Sequence, residues 1–242
     1  MCSLQFKKVS KIYSNGIPAV DGITFCVPEG EIVGLIGPNG AGKSTAIKMG
    51  AKLLDGYSGE IRLNEVDITK IKNRDYAVSY IPDIPVYFDF MTLGEHLDFL
   101  DDLYAHQGVM NKNDLIETLS LSDYLLQYPG SVSKGTLQKL MISLALLRPF
   151  DFLIADEPFS GLDPEHIYVL RDLFIRAKEL GKGILLSTHR LELAESYCDS
   201  YVFLKKGKVL ASGKKNELLD IAWLDKEASI TDIYMKISGG IK

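Results

Sequence analysis

Near the start of the chain, apolar and polar positions alternate at a spacing of two. The runs "LQFKKVS" and "GITFCVP", within residues 3–33, read as strands broken by "YSNGIP" and "PEGE", which predicts a hairpin-rich opening. "EIVGLIG" is continuously apolar and suits a buried strand. A glycine-rich loop follows it, then a helix over "KSTAIKMGAKLL". A strand "EIRLN" follows the turn "DGYSGE", and "VSYIP" is another.

From about Met91 to Leu147 the apolar spacing changes to three and four. Thr92 and Glu95 form a capping box, and Leu93, Leu97 and Leu100 recur on one helical face. "NDLIETLSL", "SDYLLQY" and a helix after Ser133 continue the helical texture. After Pro149 come the strand "FDFLIADEP", a helix across "EHIYVLRDLFIRAKELG", the strand "GILLSTH", the helix "RLELAESY", the strand "SYVFLKKG" and a helical tail. Strand–helix alternation at both ends predicts an α/β fold, a mostly parallel sheet with covering helices and a helical insertion.

Composition narrows the function classes. The chain has 242 residues, of which 46% are hydrophobic and 24% charged, enough for one large domain. A net charge of −5 gives no overall electrostatic footprint for nucleic acid, and no such partner is expected. Cys2, Cys26 and Cys198 show no metal-ligand or redox spacing and are expected to be reduced thiols. The start lacks the apolar core of a signal peptide, and a lipid anchor at Cys2 is not expected. The longest apolar run, "LMISLALL", stops at Arg148-Pro149, short of the roughly 18 residues a membrane helix needs.

"GPNGAGKST" carries the first chemistry. Gly37, Pro38, Asn39, Gly40, Ala41, Gly42, Lys43, Ser44 and Thr45 stand between a strand and a helix, the context of a phosphate-binding loop. Glycines let backbone N–H groups approach phosphate oxygens, and the helix start favours an anion. Lys43 suits the β- and γ-phosphates of a nucleoside triphosphate, and Ser44 suits Mg²⁺. Asp156 and Glu157 end a later apolar strand. One acid suffices to hold the metal through its water shell, which leaves Glu157 to orient and deprotonate an attacking water. His189, at the end of another strand, suits a donor to the γ-phosphate.

The phosphate loop, "IADEP", "SGLD" and "STH", in this order, resemble the ATP-binding-cassette (ABC) ATPases over nearly the whole chain. The resemblance implies a P-loop fold: 1–242 as one nucleotide-binding domain, with 1–90 and 148–220 forming a core that carries an N-terminal antiparallel β subdomain. Residues 91–147 would be an inserted α-helical subdomain, and 221–242 a helical tail. It further implies a head-to-tail dimer in which a signature, usually written LSGGQ, completes each ATP site from the opposite subunit. "VSKGT" stands at that position: Ser133 and Gly135 are kept, while Lys134 replaces a glycine and Thr136 the glutamine. The bland alternative for this stretch is an ordinary capped helix start. By the same resemblance, Ser160, Gly161, Leu162 and Asp163 match the loop through which the two sites communicate, and Tyr13 the aromatic that stacks on adenine. Asp83 stands where the family has a glutamine that ligates Mg²⁺; aspartate keeps the oxygen ligand but loses the amide donor.

Several segments, among them "SKGTLQKLMIS", "STHRLELAESYCDS" and "SITDIYMKI", are similar to the ATPase subunits of Ecs-type bacterial exporters. The resemblance implies an ATPase bound to the cytoplasmic side of the cell membrane, working with a second cassette subunit, simplest as a homodimer, and an integral membrane permease. "IPVYFDFMTL", after Asp83, carries Val86, Tyr87, Phe88 and Phe90, which suit either interlobe packing or a groove for a helix of that permease. Soluble relatives acting on ribosomes or DNA, importer subunits and a non-hydrolysing sensor are the alternatives. The single cassette and the lack of sustained heptads in the insert weigh against the soluble relatives, Asp83 in place of the usual glutamine against an importer, and the intact Lys43, Asp156, Glu157 and His189 against a sensor.

Overall fold

The computed structural model describes residues 3–14 and 16–239; Cys2 and the last three positions of the expected tail lie outside the described residues. Two sheets organise the chain. β1 (Ser3–Ile12) and β2 (Pro18–Pro28) form the expected hairpin. β4 (Ser58–Leu63) and β5 (Val66–Asp67) extend it into an antiparallel sheet ordered β2-β1-β4-β5.

The second sheet runs β10-β9-β3-β8-β7-β6. Its strands are β3 (Ile32–Ile36), β6 (Val78–Ile81), β7 (Phe152–Asp156), β8 (Gly183–Thr188), β9 (Ser200–Lys205) and β10 (Lys208–Gly213). All neighbours pair in parallel except β10, which folds back on β9 and was not expected from the sequence. β10 escaped notice because only Ala211 of its six residues is buried, so its apolar signal is weak.

The apolar strands β3, β7 and β8 are buried on both faces. Alternate residues face opposite cores, as the strand period requires. Phe152 and Ile154 join Val33, Leu35 and Leu185 against α1 (Lys43–Gly50) and the antiparallel sheet. Leu153 and Ala155 join Ile184 and Leu186 on the other side, against the helical residues. Those helices are α2 (Leu93–Leu103), α3 (Lys112–Thr118), α4 (Lys134–Leu147) and α5 (Pro164–Glu179). A third cluster gathers α6 (Leu191–Tyr197), α7 (Lys215–Ala222) and α8 (Ile230–Ile237) on Tyr201 and Phe203.

Two helical expectations are corrected. The helix over "KSTAIKMGAKLL" stops at Gly50, where a Cβ would lie 2.8 Å from the Phe6 ring, and Lys52 then takes a left-handed φ of 57°. "SDYLLQY" makes only one 3₁₀ turn, Ser122–Tyr124. Residue 221, the expected start of the tail, lies inside α7.

Candidate active site

Four parallel strands, β3, β8, β7 and β6, end on one edge of the sheet, and the chemistry found in the sequence follows each of them. Loops at the carboxyl ends of parallel strands form the natural crevice of such a sheet. The loop from Gly37 to Gly42 leaves β3 and enters α1. Gly42 has φ 106°, and a Cβ there would collide with the Ala19 carbonyl, so only glycine fits. No side chain caps the first turn of α1 and no acid stands in it, as an anion site requires.

A cavity of about 360 Å³ lies here, lined by Asn39 to Thr45, with Asp83 and Glu157 across from them. Lys43 is buried. Its ammonium donates to the carbonyls of Gly37 at 2.8 Å and Pro38 at 3.4 Å, and lies 3.5 Å from Glu157 Oε1. A second cavity adjoins it, lined by Asn39, Asp83, Lys134, Glu157, Ser160 and His189 among others.

Asp156 is 2% exposed, and its Oδ1 accepts from Ser44 Oγ at 3.2 Å and Ser187 Oγ at 2.6 Å. Ser187 Oγ also accepts the Glu157 N–H at 3.0 Å. Glu157 holds a left-handed φ of 45°, uncommon for a non-glycine residue, and its Oε1 lies 2.9 Å from His189 Nδ1. Burial first, then the charges of Asp156 and Asp83, push the Tyr80 phenol far up, so it stays protonated beside the site. Ser187 is the residue that sequence reasoning missed. Its signal was a polar position in "ILLST", one strand end away from the acids.

Ser133 caps α4, its Oγ accepting the Thr136 N–H at 3.1 Å. Neither Ser133 nor Gly135 lines the two cavities; Lys134, between them, lines the second. Gly161 and Leu162 line the second cavity with Ser160. Asp163 caps α5, accepting from the His166 N–H at 2.9 Å, and the imidazole Nδ1 lies 2.8 Å away. The backbone N–H and then the imidazole hold this carboxyl below the usual range. Tyr13 is 42% exposed, its hydroxyl 3.4 Å from Thr45 Oγ1 and its ring 5.7 Å from the Lys11 ammonium.

The family described as ABC transporter matches residues 20–160. The chain belongs to the ABC transporter family. It is an ATP-binding domain of that family, a P-loop nucleotide-binding ATPase domain. The chain is 36% identical to the ABC-type transporter ATP-binding protein EcsA of Bacillus subtilis (strain 168), over 98% of this chain and 97% of that protein, consistent with an Ecs-type cassette. It is 30% identical to the phosphonates import ATP-binding protein PhnC of Lactococcus lactis subsp. cremoris (strain SK11), over 89% of this chain and 94% of that protein. A solved structure of the ATP-binding subunit of an ABC transporter superposes with a TM-score of 0.86 at 36% identity, covering 97% of this chain and 99% of that one.

The cassette also exposes an apolar segment beside the site. Val86, Phe88 and Phe90 are 74%, 51% and 77% exposed, while Tyr87 packs on the core. Interlobe packing therefore accounts for Tyr87, and in part for Phe88, whose ring stacks on His96 with centroids 6.0 Å apart. Next to the segment, a groove of about 360 Å³ is lined by Leu53, Tyr80, Val86, Leu100, Tyr104 and Met141 among others. Buried His96 holds this segment in place: Nε2 accepts the Phe88 N–H at 2.9 Å and Nδ1–H donates to the Thr92 carbonyl at 2.7 Å. No helix among the described residues is long and apolar enough to cross a membrane.

Proposed function

We propose that this cassette binds and hydrolyses ATP to power a membrane exporter, on whose cytoplasmic side it docks as one of two head-to-tail subunits. One observation carries the reading. The phosphate loop, Glu157 and Asp83 line a single cavity, whereas Ser133 and Gly135 line neither it nor its neighbour. A signature that is kept but set apart from its own chain's phosphate loop suits completion of the partner's site. Two self-complementary half-sites then close a two-fold dimer.

In this reading Lys43 leaves the Gly37 and Pro38 carbonyls and Glu157 for the phosphates, where a charged acceptor replaces neutral ones. The hydroxyl of Ser44 beside Asp156, with Asp83 in the same cavity, makes a hard oxygen donor set that fits Mg²⁺. Ser44, Asp156 and Asp83 would hold that ion, which when bound neutralises phosphate charge. Glu157, freed from Lys43, accepts the proton of the attacking water at a carboxylate oxygen. His189 orients Glu157 and donates to the γ-phosphate. Tyr13 stacks on the adenine. Ser160, Gly161, Leu162 and Asp163 carry the state of one site to the other. ATP drives a partner because it favours the closed dimer over the open one.

The exposed Val86, Phe88 and Phe90, beside an apolar groove, favour a helix of an integral permease as the docking partner. Export rests on the resemblance to Ecs-type subunits alone; the similarity to an import protein keeps the importer reading as the rival. The test is affinity purification of a tagged Glu157→Gln variant, with Mg-ATP, from detergent-solubilised membranes of the source cells. Slowed hydrolysis holds the closed dimer. A stoichiometric polytopic membrane protein is expected; ribosomes, DNA or no membrane protein would overturn the reading.

A further inference from the structure

The first turn of α4 is fastened to the loop that follows Glu157 in the same chain. The Lys134 ammonium donates to Ser160 Oγ at 3.0 Å. One turn further on, wholly buried Gln138 donates through Nε2 to the Pro158 carbonyl at 3.2 Å. Between these contacts two glycines meet: a Cβ on Gly135 would lie 2.5 Å from the Gly161 carbonyl oxygen. Ser160 is itself tied to the candidate base, since its N–H donates to the Glu157 carbonyl at 2.9 Å and closes the turn over 157–160. Glu157 stands at the head of that turn with its left-handed φ of 45°, a conformation that surrounding contacts must hold.

We propose that Lys134 is a positioning residue for hydrolysis, latching the start of α4 to Ser160 and so setting the turn that presents Glu157 in its own chain. The proposal rests on the head-to-tail reading above and deepens it. Ser133 and Gly135 flank Lys134, so a γ-phosphate gripped by them in the partner's site pulls on the same helical turn that steadies Glu157 here. Two contacts link the ends: Lys134 to Ser160, then Ser160 to Glu157. A glycine at position 134 has no side chain to make this link. The substitution of lysine for the family's glycine thereby adds a route by which one nucleotide conditions hydrolysis of the other.

The experiment compares steady-state ATP hydrolysis of the full chain with that of Lys134→Met, Ser160→Ala, the double variant and Lys134→Arg, after thermal melts show each to be folded. Each single variant is expected to lower kcat by roughly two- to tenfold, the scale of one lost hydrogen bond. The KM for ATP should stay within about twofold, as expected when ground-state binding is not what was lost. The Hill coefficient falls toward one, the double variant is no worse than either single, and Lys134→Arg recovers most of the rate. A silent Ser160→Ala beside a Lys134→Met that raises KM would make Lys134 a direct phosphate contact and overturn the latch. Additive losses, or two silent variants, overturn it as well. No turnover by the unaltered chain would instead bring down the hydrolysis reading, and the latch with it.

Discussion

Asp156 and Ser187 are register partners on adjacent parallel strands, and the serine hydroxyl donates to Asp156 Oδ1 at 2.6 Å while accepting the Glu157 N–H. One wholly buried hydroxyl therefore fixes both acids. Ser187→Ala leaves the Glu157 amide only its bond to the Ser187 carbonyl at 3.2 Å and removes one of two donors to a buried carboxylate, at about 1–3 kcal/mol. A fall in kcat of roughly tenfold is expected, with a lower urea midpoint. Parallel hydrolysis and denaturation measurements check it; an unchanged kcat would show that Ser44 alone suffices to orient Asp156.

The close approach of Gly135 to Gly161 makes a stability prediction. In Gly135→Ala the new methyl meets a backbone carbonyl, not the yielding end of a side chain. Overpacking of this kind costs about 1–3 kcal/mol. At roughly 2–4 °C per kcal/mol for a chain of this size, Tm should fall by several degrees. Gly130→Ala is the control, since a Cβ there meets nothing within 4 Å. Equal melting of the two variants would contradict the packing described.

Asp83 lines both cavities, so its substitution tests its part in metal binding. Asp83→Ala is expected to raise the Mg²⁺ concentration for half-maximal hydrolysis by roughly tenfold, the scale seen when a residue supporting a metal is lost. Asp83→Gln keeps an oxygen and should lie between. A metal titration at fixed ATP measures this, and identical curves for all three proteins would remove Asp83 from the metal's surroundings.

Much of this was legible in the sequence because it is local. Thr92 and Glu95 do form the capping box that opens α2, and Ser133 does cap α4. The buried strands β7 and β8 likewise followed from runs of apolar residues. What escaped the sequence depends on partners far along the chain. Ser187 matters only because β8 lies beside β7, a pairing across 31 positions. Gly50 has no room for a side chain because Phe6 occupies the space it would need. Lys134 reads in the sequence only as a replacement for a signature glycine, and only the fold puts Ser160 within its reach.

The cap on α5 predicts a pH dependence with a definite sign. The His166 N–H, and then its imidazole, hold the Asp163 carboxyl below the usual range. Lys139, on α4, faces the same carboxyl and favours its charge, while Glu165 is the acid beside Lys139. A carboxyl whose folded value is depressed binds its proton less readily folded than unfolded. Its contribution is therefore present above the unfolded value of about 4 and is lost as pH falls through the folded one. Asp163→Asn keeps a capping oxygen and removes the charge. The chain should accordingly exceed this variant in stability at pH 6, and the gap should close as the pH is lowered through 4 toward 3. Urea midpoints of both proteins across that range measure it. A gap that stays constant with pH would mean that the cap is held by geometry alone, with no contribution from the charge.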